Sequence, residues 1–211
     1  MRKRFFIFNA FLCTAGVFFI GAGIGCERYA DLGLDPFMTL VTGAFIRVFR
    51  PLGVGFGAGY VIFCAAILLF SVFFDRTKIG FGTLVNMTLT GYASELIVFA
   101  LRLMKSEPSL IFRSFVLAGG IALIGFGAGI YLNTHLGTSP YDAPSLILAE
   151  KLRPSWYRWF RMGTDGVCVG LGFLLGCIPG AGTLVMVLFT GPLVAFFIGL
   201  FQKTVLFRRR Y

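Results

Sequence analysis

Charge is scarce in this chain. Only 13% of its 211 residues are charged and 57% are hydrophobic, whereas soluble domains carry about 25% charged residues. That shortage excludes an ordinary soluble globular domain. There is one histidine, His135, with no ligand partners at useful spacing, which excludes a histidine-based metal centre. The five cysteines, Cys13, Cys26, Cys64, Cys168 and Cys177, are odd in number and scattered, so they read as reduced packing residues. HExxH, GxSxG and paired intramembrane aspartates are all missing, so an enzyme is not expected. The glycine runs at Gly21, Gly23 and Gly25, at Gly125, Gly127 and Gly129, and from Gly53 to Gly59 lack the βαβ surroundings of a nucleotide fingerprint. Their spacing suits close approach of membrane helices. No metal and no cofactor is expected.

What is present is length of apolar chain. Long runs recur over residues 5–26, 52–74, 79–103, 110–132, 162–178 and 183–201. A bilayer core of roughly 30 Å needs about 20 apolar residues per helical crossing. The chain therefore reads as an all-α polytopic membrane protein, with residues 1–211 as one transmembrane domain and the lipid bilayer as its first partner. The opening MRKR and its apolar run have the form of a leader, but the run is too long and its end is copied later in the chain. The net charge of +10 does not point to nucleic acid, because the basic residues cluster between apolar spans and act as topology signals. The connector RPSWYRWFR (residues 153–161) and the tail FRRRY suit an inner membrane interface with anionic lipid.

The chain repeats itself. FIGAGIG (residues 19–25) matches LIGFGAG (123–129), and LGLDPF (32–37) matches LGTSPY (136–141), both at an offset of 104. GFGTLVNMTLTG (80–91) matches GAGTLVMVLFTG (180–191) at an offset of 100. Two tandem homologous repeats follow, about 5–104 and 110–203. Each has three long helices and one short helix started by proline, over 36–49 and 140–152. About 15 residues reach roughly 22 Å as a helix, enough for a thin crossing or for a re-entrant hairpin. Eight crossings, with both termini inside and parallel repeats, leave only Arg28, Arg76 and Lys78 of the 19 basic residues outside, and the positive-inside rule favours that arrangement. Six crossings with two re-entrant helices and inverted repeats is the alternative. It moves Arg47, Arg50, Arg102, Lys105 and Arg113 outside.

The two polar breaks are built as helix starts. Asp35 precedes Pro36 and Ser139 precedes Pro140; Asp and Ser cap a first turn and proline tolerates its first position. Asp142 lies three residues after Ser139, as in a capping box. Gly33 and Gly137 lie just upstream. Thr83 and Thr183 follow GxG and start the last helix of each repeat. Exposed amides at such starts favour anions or a ligand's negative group, and transporter sites lie near broken helices between repeats. Asp35, Pro36, Gly137, Ser139, Pro140, Asp142, Thr83 and Thr183 are the candidate substrate-binding residues. Ionisable groups at membrane depth are functional candidates. Glu95 and Asp165 are the candidates for proton coupling, with Asn86 and Asn133 behind them. Glu95 aligns with Ala195, so the symmetry is broken in charge.

With LGxxP, the glycine-rich first helix and GTLVxxxxTG together, the chain resembles the YczE/YyaS/YitT group of bacterial integral membrane proteins, most of all the YczE-like branch. The resemblance implies a multi-pass protein of the bacterial cytoplasmic membrane and little about activity. The expected function is a small-molecule transporter or exporter with a polar site between the repeats, for a small polar or anionic solute, with a homodimer admitted. The alternative is an accessory membrane protein that acts through protein partners without moving solute.

Overall fold

The computed structural model describes residues 2–54, 56–74, 80–104, 108–137, 139 and 141–203. Arg76, Lys78, Lys105 and the basic tail lie outside them. The protein is all-α, with eight α-helices in the described residues. They are α1 (Arg2–Ala30), α2 (Pro36–Ala44), α3 (Phe56–Phe74), α4 (Phe81–Met104), α5 (Leu110–Asn133), α6 (Asp142–Lys151), α7 (Tyr157–Leu174) and α8 (Ala181–Gln202). Four of these, α1, α4, α5 and α8, contain stretches long and apolar enough to cross a membrane. Many large apolar side chains are exposed along them, such as Phe11, Phe99, Phe115 and Phe196. A water-soluble fold would bury them, whereas lipid accepts them.

The centre of the fold is a crossing of α1 with α5 made by glycine. A Cβ at Gly16 would stand 2.8 Å from the Gly127 carbonyl oxygen, and one at Gly127 would stand 2.5 Å from that of Gly16. Gly23 and Gly120 repeat the contact, at 2.5 and 2.9 Å. Backbones this close leave no room for side chains, which is how membrane helices gain contact without a hydrophobic driving force. Gly16 and Gly120 are 104 apart, as are Gly23 and Gly127, so the internal offset carries one of the two contacts onto the other. Further contacts keep the same order. Cys13 packs with Tyr131, the Phe19 and Phe126 rings meet at 5.2 Å, and Ala30 packs with Leu117.

This order shows direction. As α1 rises from residue 13 to 30, its contacts on α5 descend from 131 to 117, so α1 and α5 are antiparallel. By the same argument α4 runs parallel to α1, since Cys13 meets Gly82, Gly21 meets Thr90 and Gly25 meets Ile97. Helix α8 runs parallel to α5, with Leu117 against Gly182 and Gly129 against Phe197.

The breaks after α1 and α5 are tied crosswise. The Leu32 carbonyl accepts from the Gly182 amide at 2.9 Å, and the Leu136 carbonyl accepts from the Gly82 amide at 2.8 Å. Thr183 adds a hydroxyl donated to the Leu34 carbonyl at 2.8 Å. Each break of one half is therefore seated on the GxGT start in the other half. Gly33 and Gly137 take positive φ, 149° and 119°. A Cβ there would lie 2.5 Å from the Thr183 amide and 2.7 Å from the Gly80 amide respectively. Both backbone conformation and space thus require glycine. Asp31 and His135, also 104 apart, share φ near 50°.

Candidate functional site

Helix α2 begins as the sequence predicts. Asp35 accepts the Phe37 and Met38 amides through Oδ1, at 2.9 and 3.0 Å, and Pro36 takes the first turn. Helix α6 begins later than Ser139 suggests, at Asp142, with Tyr141 as its formal cap and no side-chain cap bond there. Ser139 still contributes. Its hydroxyl accepts the Asp142 amide at 3.0 Å and donates to Asp142 Oδ2 at 2.6 Å. The capping box is thus replaced by a closed Ser–Asp pair. Asp142 Oδ1 is free to turn elsewhere, and it meets Arg161. Pro140 lies outside the described residues.

Arg161 is the main correction to the sequence reading. Placed in an interfacial basic connector by its neighbours, it is 5% exposed in the core. Its Nη1 is paired with Asp142 Oδ1, and its Nε lies 3.2 Å from Asp165 Oδ1. Asp165, one helical turn along α7, is fully buried and accepts the Tyr141 hydroxyl. The guanidinium also sits over the Tyr141 ring, 4.0 Å from its centroid. One cation thus faces two carboxylates from two helices, and its attraction offsets part of the cost of burying them. Asp165 acts here as a member of this network.

The two breaks meet. Phe37 and Tyr141, 104 apart, stack with centroids 4.9 Å from each other. Around them lies a cavity of about 70 Å³, and a buried water needs roughly 10–15 Å³ of such space. Five pairs of its wall residues stand at the internal offsets of 104 or 100: Ile20 with Ile124, Ile24 with Ala128, Asp35 with Ser139, Phe37 with Tyr141, and Thr90 with Thr190. Pro36, Asn86, Asp142 and Arg161 line it too. Of the predicted binding residues, Asp35, Pro36, Ser139 and Asp142 therefore converge on one cavity. Gly137, Thr83 and Thr183 brace the breaks from outside its walls.

Glu95 stands apart from this cluster. It is exposed on α4 and lines a wider groove of about 610 Å³ with Arg28 and Tyr92. That groove shares Ile24, Tyr60, Met87 and Thr90 with the wall of the central cavity. Asn133 is spent on structure, donating to the Gly129 and Ile198 carbonyls at 2.8 and 3.1 Å.

Sequence reasoning missed several residues. Thr90 and Thr190 lie inside the matched GTLV segments at equal positions, so the signal was available. Glu27 was not flagged. It is 1% exposed with neither carboxyl oxygen hydrogen-bonded. Its counterpart in the second half is Tyr131, fully buried with an unpartnered hydroxyl. Carboxylate and phenol share no obvious pattern, so the pair is visible only in space.

Comparison with known proteins agrees with the resemblance read from the motifs. A Haemophilus influenzae protein described as uncharacterized is 28% identical over 185 residues, covering 87% of this chain and 80% of its own length. The uncharacterized membrane protein YczE of Bacillus subtilis is 29% identical, covering 86% of this chain and 81% of its own. The uncharacterized protein YyaS of the same organism is 25% identical, covering 92% and 94%. No solved structure matches. The chain is an integral membrane protein and, with residues 7–199 matching the model of the family of unknown function DUF6198, it belongs to that family.

Proposed function

We propose that this protein is a small-molecule transporter whose substrate site is the cavity where the two breaks meet. The observation that supports this most is the pairing of the walls. Five pairs of residues related by the internal offsets face one largely apolar space with a few polar groups, at a point where neither half alone encloses a site. Transporters built from inverted repeats place their sites at such midplane interfaces, beside discontinuous helices. The wider groove beside Thr90 is the route of access. Arg161, Asp142 and Asp165 hold α6 and α7 together against the cavity, and Asp35 holds the start of α2. Uptake of a panel of radiolabelled amines, carboxylates, phosphate and sugars into proteoliposomes tests the reading. Thr90→Leu combined with Thr190→Leu fills the cavity from both halves and is expected to abolish uptake while the melting temperature holds. Uptake that survives this double substitution would place the site elsewhere. A stoichiometric protein partner with no uptake of any solute would favour the accessory reading instead.

The same reading takes the two halves as inverted repeats with six crossings, α2 and α6 being re-entrant. Helices α1 and α4 run the same way, so the chain between them must return across the membrane once. Helix α2 starts at the cavity and ends with Gly43 beside Gly172 and Leu175, at the end of α7. It thus runs from the centre back toward the face where α1 ended. Helix α3 then makes the return, with Gly59 near Phe49 and Cys64 packed against Phe37. In a background without the native cysteines, Arg50→Cys is expected to react with an impermeant maleimide from outside. Arg153→Cys is expected to react only from the cytoplasmic side. Labelling of both from the cytoplasm would restore eight crossings with parallel halves.

A further inference from the structure

The charges around the cavity are unequal, and the geometry points to a ligand class. Resting on the cavity being the substrate site, we propose that it binds a small organic cation of the alkylammonium type. Among the described residues that line it, Arg161 is the one cation, against the carboxylates of Asp35 and Asp142. Arg161 already faces two carboxylates: Nη1 is paired with Asp142, Nε lies 3.2 Å from Asp165 without a hydrogen bond, and Tyr141 covers the guanidinium face. Those two carboxylates offset its charge toward an anion. The helix amides that make an anion attractive in the sequence are also occupied. Asp35 Oδ1 takes those of Phe37 and Met38, and the Ser139 hydroxyl takes that of Asp142.

Acceptor capacity remains open at the cavity. Asp35 Oδ2 is buried without a partner. Thr90 faces the space from α4, is 5% exposed, and its hydroxyl is buried without a partner as well. Buried polar groups of this kind cost free energy until something binds them. A cation satisfies the Asp35 oxygen directly. The other walls suit the same ligand. Phe37 and Tyr60 border the space, 6.4 Å apart in edge contact, while Tyr141 is already covered by Arg161 and by Phe37. Aromatic faces around an acceptor are how proteins hold quaternary and alkylated ammonium groups. An uncharged ligand leaves the Asp35 charge without a counter-ion, and an anion adds repulsion to it.

Radiolabelled tetramethylammonium is the probe, because it stays charged at every pH and has five heavy atoms, fitting a space this small. Binding to the purified protein in nanodiscs is measured against unlabelled tert-butanol, acetate and phosphate as competitors. Tetramethylammonium is expected to bind and to be displaced by none of them. Asp35→Asn keeps a good helix cap and so preserves the melting temperature, while lowering affinity at least tenfold. Tyr60→Leu is expected to weaken binding several-fold through loss of a ring face. Unchanged affinity in Asp35→Asn, or saturable phosphate or acetate binding in place of the cation, would overturn the cation assignment. Uptake of a neutral or anionic solute that is stopped by the Thr90 and Thr190 substitutions would do so too, yet leave the cavity as the site. No binding and no uptake of anything would remove both.

Discussion

Arg161→Met is expected to lower the stability of the protein by about 3–5 kcal/mol, the cost of removing one partner from a buried ion pair. In a chain of this size that is a fall in melting temperature on the order of 10 °C. The reason lies in what the substitution strands. Asp142 is 7% exposed and Asp165 fully buried, and both meet the guanidinium. Without it, two carboxylates stand uncompensated at a depth where charge is expensive. The Asp142 side chain also anchors Ser139, so the second break loosens with the pair. Removing the charges together reverses the effect, because replacing a whole buried ionic group by neutral side chains is often neutral or stabilising. Arg161→Met with Asp142→Asn and Asp165→Asn is therefore expected to recover most of the loss. Thermal unfolding in detergent, followed by a thiol-reactive dye, measures both variants. A single substitution as stable as the parent would show that the three charges do not meet in the folded protein.

Gly127→Leu is expected to be the most damaging substitution in a glycine of the α1–α5 crossing. Its Cβ would lie 2.5 Å from the Gly16 carbonyl oxygen and 2.8 Å from the Ile20 amide, and neither is a side chain that can swing away. Overpacking costs typically 1–3 kcal/mol where neighbours adjust. Two backbones in contact cannot adjust without separating the helices, so the loss is expected at or above about 3 kcal/mol. Gly119→Leu on the same helix is the control. Nothing lies within 4 Å of a Cβ there, so it is expected to change stability by less than about 0.5 kcal/mol. Equal losses from the two would mean that the crossing does not set the cost, because leucine is the better helix former at both positions.

Much of this was legible along the chain. The apolar runs end within a few residues of the observed helices, and Asp35–Pro36 starts α2 as capping chemistry predicts. Gly33 and Gly137 were marked for unusual backbone, which they have. Asp35, Pro36, Ser139 and Asp142, picked out at the two polar breaks, line one cavity. Two other assignments were not legible for identifiable reasons. Arg161 stands five residues beyond RPSW, in a connector of aromatic and basic residues, and composition reads that as interface. Its burial depends on Asp142, 19 residues earlier, and no periodicity links them. Glu95 looked central because it sits in mid-helix, but mid-helix says nothing about which side of the helix faces the core.

The sequence by itself determined that this chain lives in a membrane, that short segments recur in it at offsets of 104 and 100, and where its polar breaks fall. Those properties follow from counts of apolar residues and from local backbone chemistry, both written in order along the chain. Only the tertiary structure decided that α5 runs against α1, that each break rests on the opposite half, and that the breaks meet around a cavity. A helix of about 15 apolar residues has the same hydropathy whether it crosses or turns back. The direction of α5 against α1 is set by the packing of Gly16 on Gly127 and Gly23 on Gly120, and close packing between helices more than 90 residues apart leaves no local signature.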